Sequence, residues 1–303
     1  MRVLRKILGW VLYAFMYLLS LLPLRVHYLF SDFICWLLYS VFGYRRKVVD
    51  TNLRHAVKDI SEEELNKVTK EYYRYISDVI CENIWSIGKS SETLIRKGLI
   101  TADSAEELAR VYQTYGNIVM LMPHAGNWEF ITALPRVVSV PDFDYENLAA
   151  AYQPLSSKVS DFIFKKMRFD RMEGRGHLLS SEKILRFVLE HKNDKRVYIF
   201  ISDQHPYKNA AVETLFLGLP TLWVNGGEAI ARKLKLPVVY TYIARVSRGK
   251  YHMRITLLSE HPEQTAPGEI MTRFSELLEK DIRSNLHNWL WSHKRWKNIE
   301  NLY

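Results

Sequence analysis

The sequence predicts an α/β fold: a mixed, mostly parallel sheet flanked by helices and preceded by an N-terminal membrane helix. Three observations lead there. From about residue 116 to residue 260, short apolar runs alternate with helix-length amphipathic stretches. Residues 7–24 form a run of eighteen without a charge, the lower limit for spanning a bilayer. Between the two, apolar side chains recur at helical spacing.

Arg2, Arg5 and Lys6 precede the uncharged run as they would in a signal peptide. The run is longer than a usual signal core, however, and Leu22-Pro23-Leu24-Arg25 is a poor cleavage site. A helix that stays on the protein is the expectation. A second apolar stretch, 28–44, carries only Asp32 and ends at Arg45-Arg46-Lys47. It reads as an interfacial helix or as the second arm of a hairpin. Positive charges flank both stretches, so the loop-charge rule leaves orientation open. Residues 1–44 are thus an anchor or interfacial segment, and 45–303 the working domain. That domain divides into a helical lead-in (45–115), an α/β core (116–260), and a C-terminal helix with a basic-aromatic tail (261–303).

In the lead-in, Ser61-Glu62-Glu63-Glu64 is a capping-box start. Leu65, Val68, Tyr72, Tyr75, Ile76, Val79 and Ile80 follow at helical spacing, as on a helix packed against a core. Gly88-Lys89-Ser90 is not a phosphate loop, because position 83 is Asn where that pattern needs glycine and no strand leads in. In the core, strands are expected at 117–122, 148–152, 196–202, 237–244 and 251–258, with an antiparallel edge near 240–258. Helices are expected at 128–138, 156–168, 180–191 and 225–235, and a last one at 268–290.

The chain has 303 residues, 48% hydrophobic and 13% aromatic, enough for a sizeable core and too many for a disordered chain. A net charge of +9 points to an acidic partner: nucleic acid, an anionic membrane surface, or a phosphorylated or acidic substrate. The membrane segment argues against nucleic acid. Two isolated cysteines, Cys35 and Cys81, argue against a disulfide framework and a Cys-based zinc site.

The chemistry centres on His124-Ala125-Gly126-Asn127-Trp128-Glu129. The strand stops at Pro123, and Gly126-Asn127 turns the chain into a helix that carries Glu129 in its first turn. Open α/β sheets gather functional groups at such strand ends. This spacing can bring carboxylate and imidazole together, leaving the other ring nitrogen to take a proton from a substrate hydroxyl. Backbone N–H groups near Gly126 and Asn127 can steady developing negative charge. Taken alone, a His-x4-Glu spacing is weak evidence. There is no G-x-S-x-G elbow and no nucleophilic cysteine stands out, so in a transferase the acceptor hydroxyl must itself attack.

In this form the block resembles the His-x4-acid motif of membrane glycerolipid-type acyltransferases, and within them the late acyltransferases of bacterial lipid A biosynthesis. Other blocks agree in order. They are Arg45-Arg46 with Asn52-Leu53, Tyr152-Gln153-Pro154 with Arg168, Asp203-Gln204, Phe216-Leu217-Gly218, and Trp289-Leu290-Trp291-Ser292-His293-Lys294-Arg295-Trp296-Lys297. Leu286 stands where that family often has proline, and Gln153 where a basic residue is frequent. The resemblance implies a glycerolipid-acyltransferase-like sheet and a catalytic domain on the cytoplasmic face of the inner membrane. It implies His124 as general base oriented by Glu129, with Arg168, or Arg171 in reserve, holding the oxyanion or a phosphate. Asn127, Asp203 and Gln204 complete the expected substrate contacts. The expected partners are acyl-carrier protein or acyl-CoA as donor, a phosphorylated glycolipid as acceptor, and membrane lipids, with no metal or other cofactor.

Four further readings stand beside this. Basic residues among apolar ones over 156–171 suit an anionic membrane or a phosphorylated sugar, or else the solvated face of a core helix. Trp289, Trp291 and Trp296 beside Lys294, Arg295 and Lys297 have interfacial chemistry, or else are core tryptophans. His124, Glu129, Asp203 and His205 could bind a metal in a hydrolase, without any familiar ligand spacing, and an inactive scaffold would keep the fold without needing both His124 and Glu129.

Overall fold

The computed structural model describes residues 2–103, 106–206, 211–299 and 302–303. The chain opens with helix α1 (Arg2–Ser20) and helix α2 (Leu24–Trp36), which continues into a π-helical turn over Leu37–Val41. Pro23, between them, has no N–H to extend the ladder of α1, and the two arms bend by 116°. Among the described residues no single helix is long and apolar enough to cross a membrane. The expected N-terminal membrane helix is therefore corrected to a bent pair. Its outward face is apolar: Trp10, Phe15 and Leu18 on α1 and Phe30, Phe33 and Trp36 on α2 are exposed.

The helical lead-in is α3 (Arg46–Ala56), α4 (Glu62–Trp85) and α5 (Ser91–Arg96). Ser61 caps α4, its hydroxyl accepting the Glu64 N–H at 3.2 Å, and three glutamates in the first turn complement the helix dipole. Leu65, Val68, Tyr72, Tyr75 and Val79 are buried along one stripe, while Ile80 stays exposed. Lys89, from the rejected phosphate-loop segment, donates to the carbonyls of Ser20 and Trp85 and so ties the ends of α1 and α4 together.

The core follows as β1 (Ile100–Ala102), α6 (Glu106–Tyr115), β2 (Asn117–Met122), a 3-10 turn over Trp128–Ala133 leading into α7 (Leu134–Val138), β3 (Leu148–Tyr152), α8 (Lys158–Arg171), β4 (His177–Ser180), α9 (Ile184–Glu190) and β5 (Arg196–Ile201). A hairpin, β6 (Ala211–Phe216) and β7 (Leu219–Val224), then precedes α10 (Gly226–Leu234), β8 (Val238–Ser247), β9 (Lys250–Ser259) and α11 (Glu269–Ser284). Seven strands form one sheet in the order β1-β9-β8-β2-β5-β3-β4. All neighbours are parallel except β8 and β9. The antiparallel pair expected near 240–258 is present, but β1 extends the sheet beyond it.

Central β2 is buried on both faces, as parallel strands under two helical layers must be. With a side-chain period of two, Val119 and Leu121 join the cluster of Phe274 and Leu278 on α11, and Ile118, Met120 and Met122 join that of Phe130 and Leu134. Strands β1, β4 and the β6–β7 hairpin were not anticipated. The hairpin turns on Leu217 and Gly218, both at positive φ, which is what a two-residue hairpin turn with the right twist needs. Helix α11 ends at Ser284, six residues before the expected 290, because Asn285 leaves helical geometry at φ −152°.

The tail corrects the interfacial reading. Trp289, Trp291 and Trp296 are at most 2% exposed and pack around Phe216 and one another. Arg295 is buried over the Trp223 ring. Asn52 donates to the carbonyls of Trp291 and His293, and Arg45 to that of Ser292. Two blocks far apart in sequence are thus one packing unit.

Candidate active site

Adjacent parallel strands β2 and β5 run in register, Met122 opposite Ile201, so the residues just beyond each meet at the same sheet edge. His124 follows β2 and Asp203 follows β5. The imidazole Nδ1 lies 2.6 Å from Asp203 Oδ1. The His124 backbone N–H donates to Asp203 Oδ2 at 2.9 Å, and the Trp289 indole N–H donates to the same oxygen at 2.7 Å. Three contacts hold one carboxylate that is 2% exposed. Burial alone would raise its pKa; the His124 charge and these hydrogen bonds outweigh that and hold Asp203 below the usual aspartate range.

The carboxylate on the imidazole is therefore Asp203, not Glu129. Glu129, also buried, accepts two hydrogen bonds from Arg168, at 2.8 Å from Nε and 2.6 Å from Nη2. Burial opposes its ionisation, but Arg168 beside it, with smaller help from Arg171 and His124, holds Glu129 below the ordinary glutamate value. The His-x4-Glu spacing fails to close a pair because Glu129 sits in a 3-10 turn facing α8. The shorter route to His124 runs across the sheet.

Beneath this pair lies a polar layer. Arg171 is fully buried and donates to the Glu129 carbonyl at 3.2 Å and to Asn83 at 2.8 Å, and it also bonds Ser86. Burial pushes its pKa down to about 10. Asn127, buried as well, donates to Glu82 at 3.0 Å and accepts from Asn83 at 3.2 Å. Both side chains brace the turn from below, so neither is placed for the expected substrate contact. The Gly126 N–H, expected to steady an oxyanion, donates instead to the Asn288 carbonyl at 3.0 Å.

The turn itself requires glycine. Gly126 has φ +56°, and a Cβ there would stand 2.1 Å from the Ile243 carbonyl oxygen. The Tyr75 hydroxyl donates to the Gly126 carbonyl at 2.7 Å, so α4 fixes the turn from the other side.

What remains open to a substrate is the outer edge of the imidazole. The His124 side chain is 18% exposed, with Trp128 edge-on at 5.3 Å and the Gln204 amide nitrogen 3.5 Å from Nε2. Arg168 adds a guanidinium whose side chain is 22% exposed. Three cations of helix α8 are matched: Lys165 pairs with Asp161, Lys166 with Asp170 and Arg168 with Glu129. Its Phe162 packs against Trp10 of α1. Among the described residues no three His, Cys, Asp or Glu side chains gather as a metal site would need. Trp289 and Asn288, which secure Asp203 and Gly126, were not anticipated. Nothing in local spacing signals a tail residue returning to the sheet edge.

The family model described as bacterial lipid A biosynthesis acyltransferase matches residues 1–298. No curated protein matches the chain.

Proposed function

We propose, for a chain that belongs to the bacterial lipid A biosynthesis acyltransferase family, that it moves a fatty acyl group from an acyl-carrier-protein thioester to a hydroxyl of a lipid A precursor. The observation that carries the mechanism is the bond from His124 Nδ1 to Asp203. An acidic partner on Nδ1 favours the tautomer in which Nε2 carries no proton, leaving that nitrogen, 3.5 Å from the Gln204 amide, to act as the base. Nε2 removes the acceptor's proton as its oxygen attacks the thioester carbonyl carbon. Asp203 stabilises the imidazolium that forms. Arg168, fixed by Glu129, faces the tetrahedral oxyanion. On collapse the carbon–sulfur bond breaks, the thiolate takes the proton back from His124, and the base is regenerated.

The enzyme seats on the inner membrane through the bent helix pair, with the α/β domain on the cytoplasmic side where carrier protein is available. The exposed Trp10, Phe15, Phe33 and Trp36 support an interfacial seat. The positive charge of the chain suits both an acidic carrier protein and a phosphorylated acceptor.

Mass spectrometry of membrane lipids from a deletion strain tests this. Loss of one secondary acyl chain from lipid A, restored by the wild-type gene, is expected. Unchanged lipid A with an altered phospholipid or aminolipid would move the acceptor to another lysolipid or glycolipid. Activity unaffected by EDTA is expected of the mechanism above; inhibition reversed by a divalent ion would sink it.

A further inference from the structure

A cleft of about 580 Å³ opens where α2 and its π-helical turn meet α4 and the β8–β9 hairpin. A second, of about 310 Å³, shares Arg74, Arg245 and Arg248 with it. The lining charges are unequal. Lys70, Arg74, Arg245 and Arg248 face two carboxylates, Asp32 and Asp78. Both carboxylates are already matched: Asp78 binds Arg245 and, at 2.7 Å, Arg248, and Asp32 binds Arg248 at 2.7 Å. Lys70 and Arg74, one helical turn apart on α4, form no ion pair among the described residues. The cleft therefore offers two uncompensated cations, an arrangement that suits a phosphate.

Two further observations say which phosphate. The rim carries exposed apolar side chains: Trp36 lines the first cleft with the Phe33 ring 5.8 Å from it, Val246 lines the second, and each is more than half exposed. A ligand with a charged head and hydrocarbon behind it fits that combination. The cleft also adjoins the catalytic turn. Tyr75, next to Arg74, holds the Gly126 carbonyl. Asn288 accepts the Arg245 N–H on its side chain and the Gly126 N–H on its carbonyl. One residue thus separates the cleft wall from the loop that carries His124.

We propose that this cleft binds the phosphate-bearing headgroup of the glycolipid acceptor, with its acyl chains running over the aromatic rim. The proposal rests on the acyltransferase reading. It assigns the phosphate to Lys70 and Arg74, leaving Arg168 to the reacting centre.

The test compares the full-length protein with a Lys70→Gln/Arg74→Gln variant, both positions being exposed on α4. Acyl transfer is measured to a phosphorylated lipid A precursor and to the same precursor after phosphatase treatment. The variant is expected to raise KM for the phosphorylated acceptor by about tenfold or more with kcat within about twofold, and to leave the dephosphorylated acceptor almost unaffected. An unchanged KM, an equal rise for both acceptors, or a rise in the KM for carrier protein instead would overturn it. Flotation with phosphatidylcholine vesicles, with and without phosphatidic acid, gives a further arm. If the variant loses only phosphatidic-acid-dependent flotation while its acceptor KM stays normal, the cleft serves bulk anionic lipid and the proposal is wrong. Should the wild-type protein transfer acyl groups to neither acceptor, the acyltransferase reading fails first. Direct binding of the radiolabelled precursor then decides the cleft separately: phosphate-dependent binding lost in the variant supports it, and undiminished binding refutes it.

Discussion

Two buried carboxylates flank the turn after β2, and they do opposite work. Asp203 and Glu129 are 2% and 4% exposed, and in both a nearby positive charge overcomes the burial that would keep a carboxyl protonated. Asp203 is matched to an imidazole, which can both accept and donate a proton and has an open edge. Glu129 is matched to a guanidinium, which stays charged. The first pair can move a proton; the second fixes charge in place. Electrostatics alone would not separate them. The identity of the base partner does.

The comparison breaks most visibly at the imidazole. His124→Ala should lower kcat by about 10³-fold or more while the thermal midpoint stays within a few degrees, because a part-exposed side chain is lost and Asp203 keeps two other donors. Near-normal turnover by that variant would refute the assignment, and an inactive scaffold role predicts that it still rescues a deletion strain. Glu129→Gln should act chiefly on stability. It leaves Arg168 without its carboxylate, which costs about 3 kcal/mol for a buried charge stripped of its partner, with kcat of the folded enzyme down by only about tenfold. Calorimetry and steady-state kinetics on one preparation separate the two effects.

The same ion pair carries a pH signature. Because the folded Glu129 carboxyl titrates below its unfolded value, its contribution is fully present above the ordinary glutamate pKa of about 4.3 and is lost as pH falls through the lower folded value. The thermal midpoint of the wild-type protein should therefore drop below about pH 4, and that drop should be shallower in Glu129→Gln. An identical acid slope in both proteins would remove Glu129 from the explanation. The smallest effect is expected at Trp289→Phe, which keeps the ring packing but deletes one donor to Asp203. A loss of kcat of about three- to tenfold with unchanged KM is the expected outcome, the size of one ordinary net hydrogen bond, because Asp203 keeps its other donors.

Much of this architecture was legible in the sequence. The apolar runs located β2, β3, β5, β8 and β9; β2, buried on both faces, reads as an unbroken hydrophobic stretch, whereas β9 interleaves His252, Arg254 and Thr256 with apolar residues. The helical stripe on α4 and the serine cap were visible for similarly local reasons. Strands β1 and β4 are only three and four residues long and leave almost no periodic signal. Among the candidate site residues, the place of His124 just past the end of β2 was legible in the sequence. Its partner was not, because chain spacing favours Glu129 while sheet order decides for Asp203, and that order places β5 beside β2. The N-terminal run shows a different limit. Composition marks two apolar stretches, the second legible as a hairpin arm, but not the 116° angle at which they meet. The tail tryptophans show the converse, since aromatic and basic residues at a membrane interface have the same composition as those closing a core.

The tautomer of His124 tests the central claim most directly. Nitrogen NMR of the ¹⁵N-labelled imidazole should show the neutral ring protonated at Nδ1 in the wild-type protein and in Glu129→Gln, with that preference lost in Asp203→Asn. A ring whose tautomer is indifferent to Asp203→Asn but changes in Glu129→Gln would contradict the account.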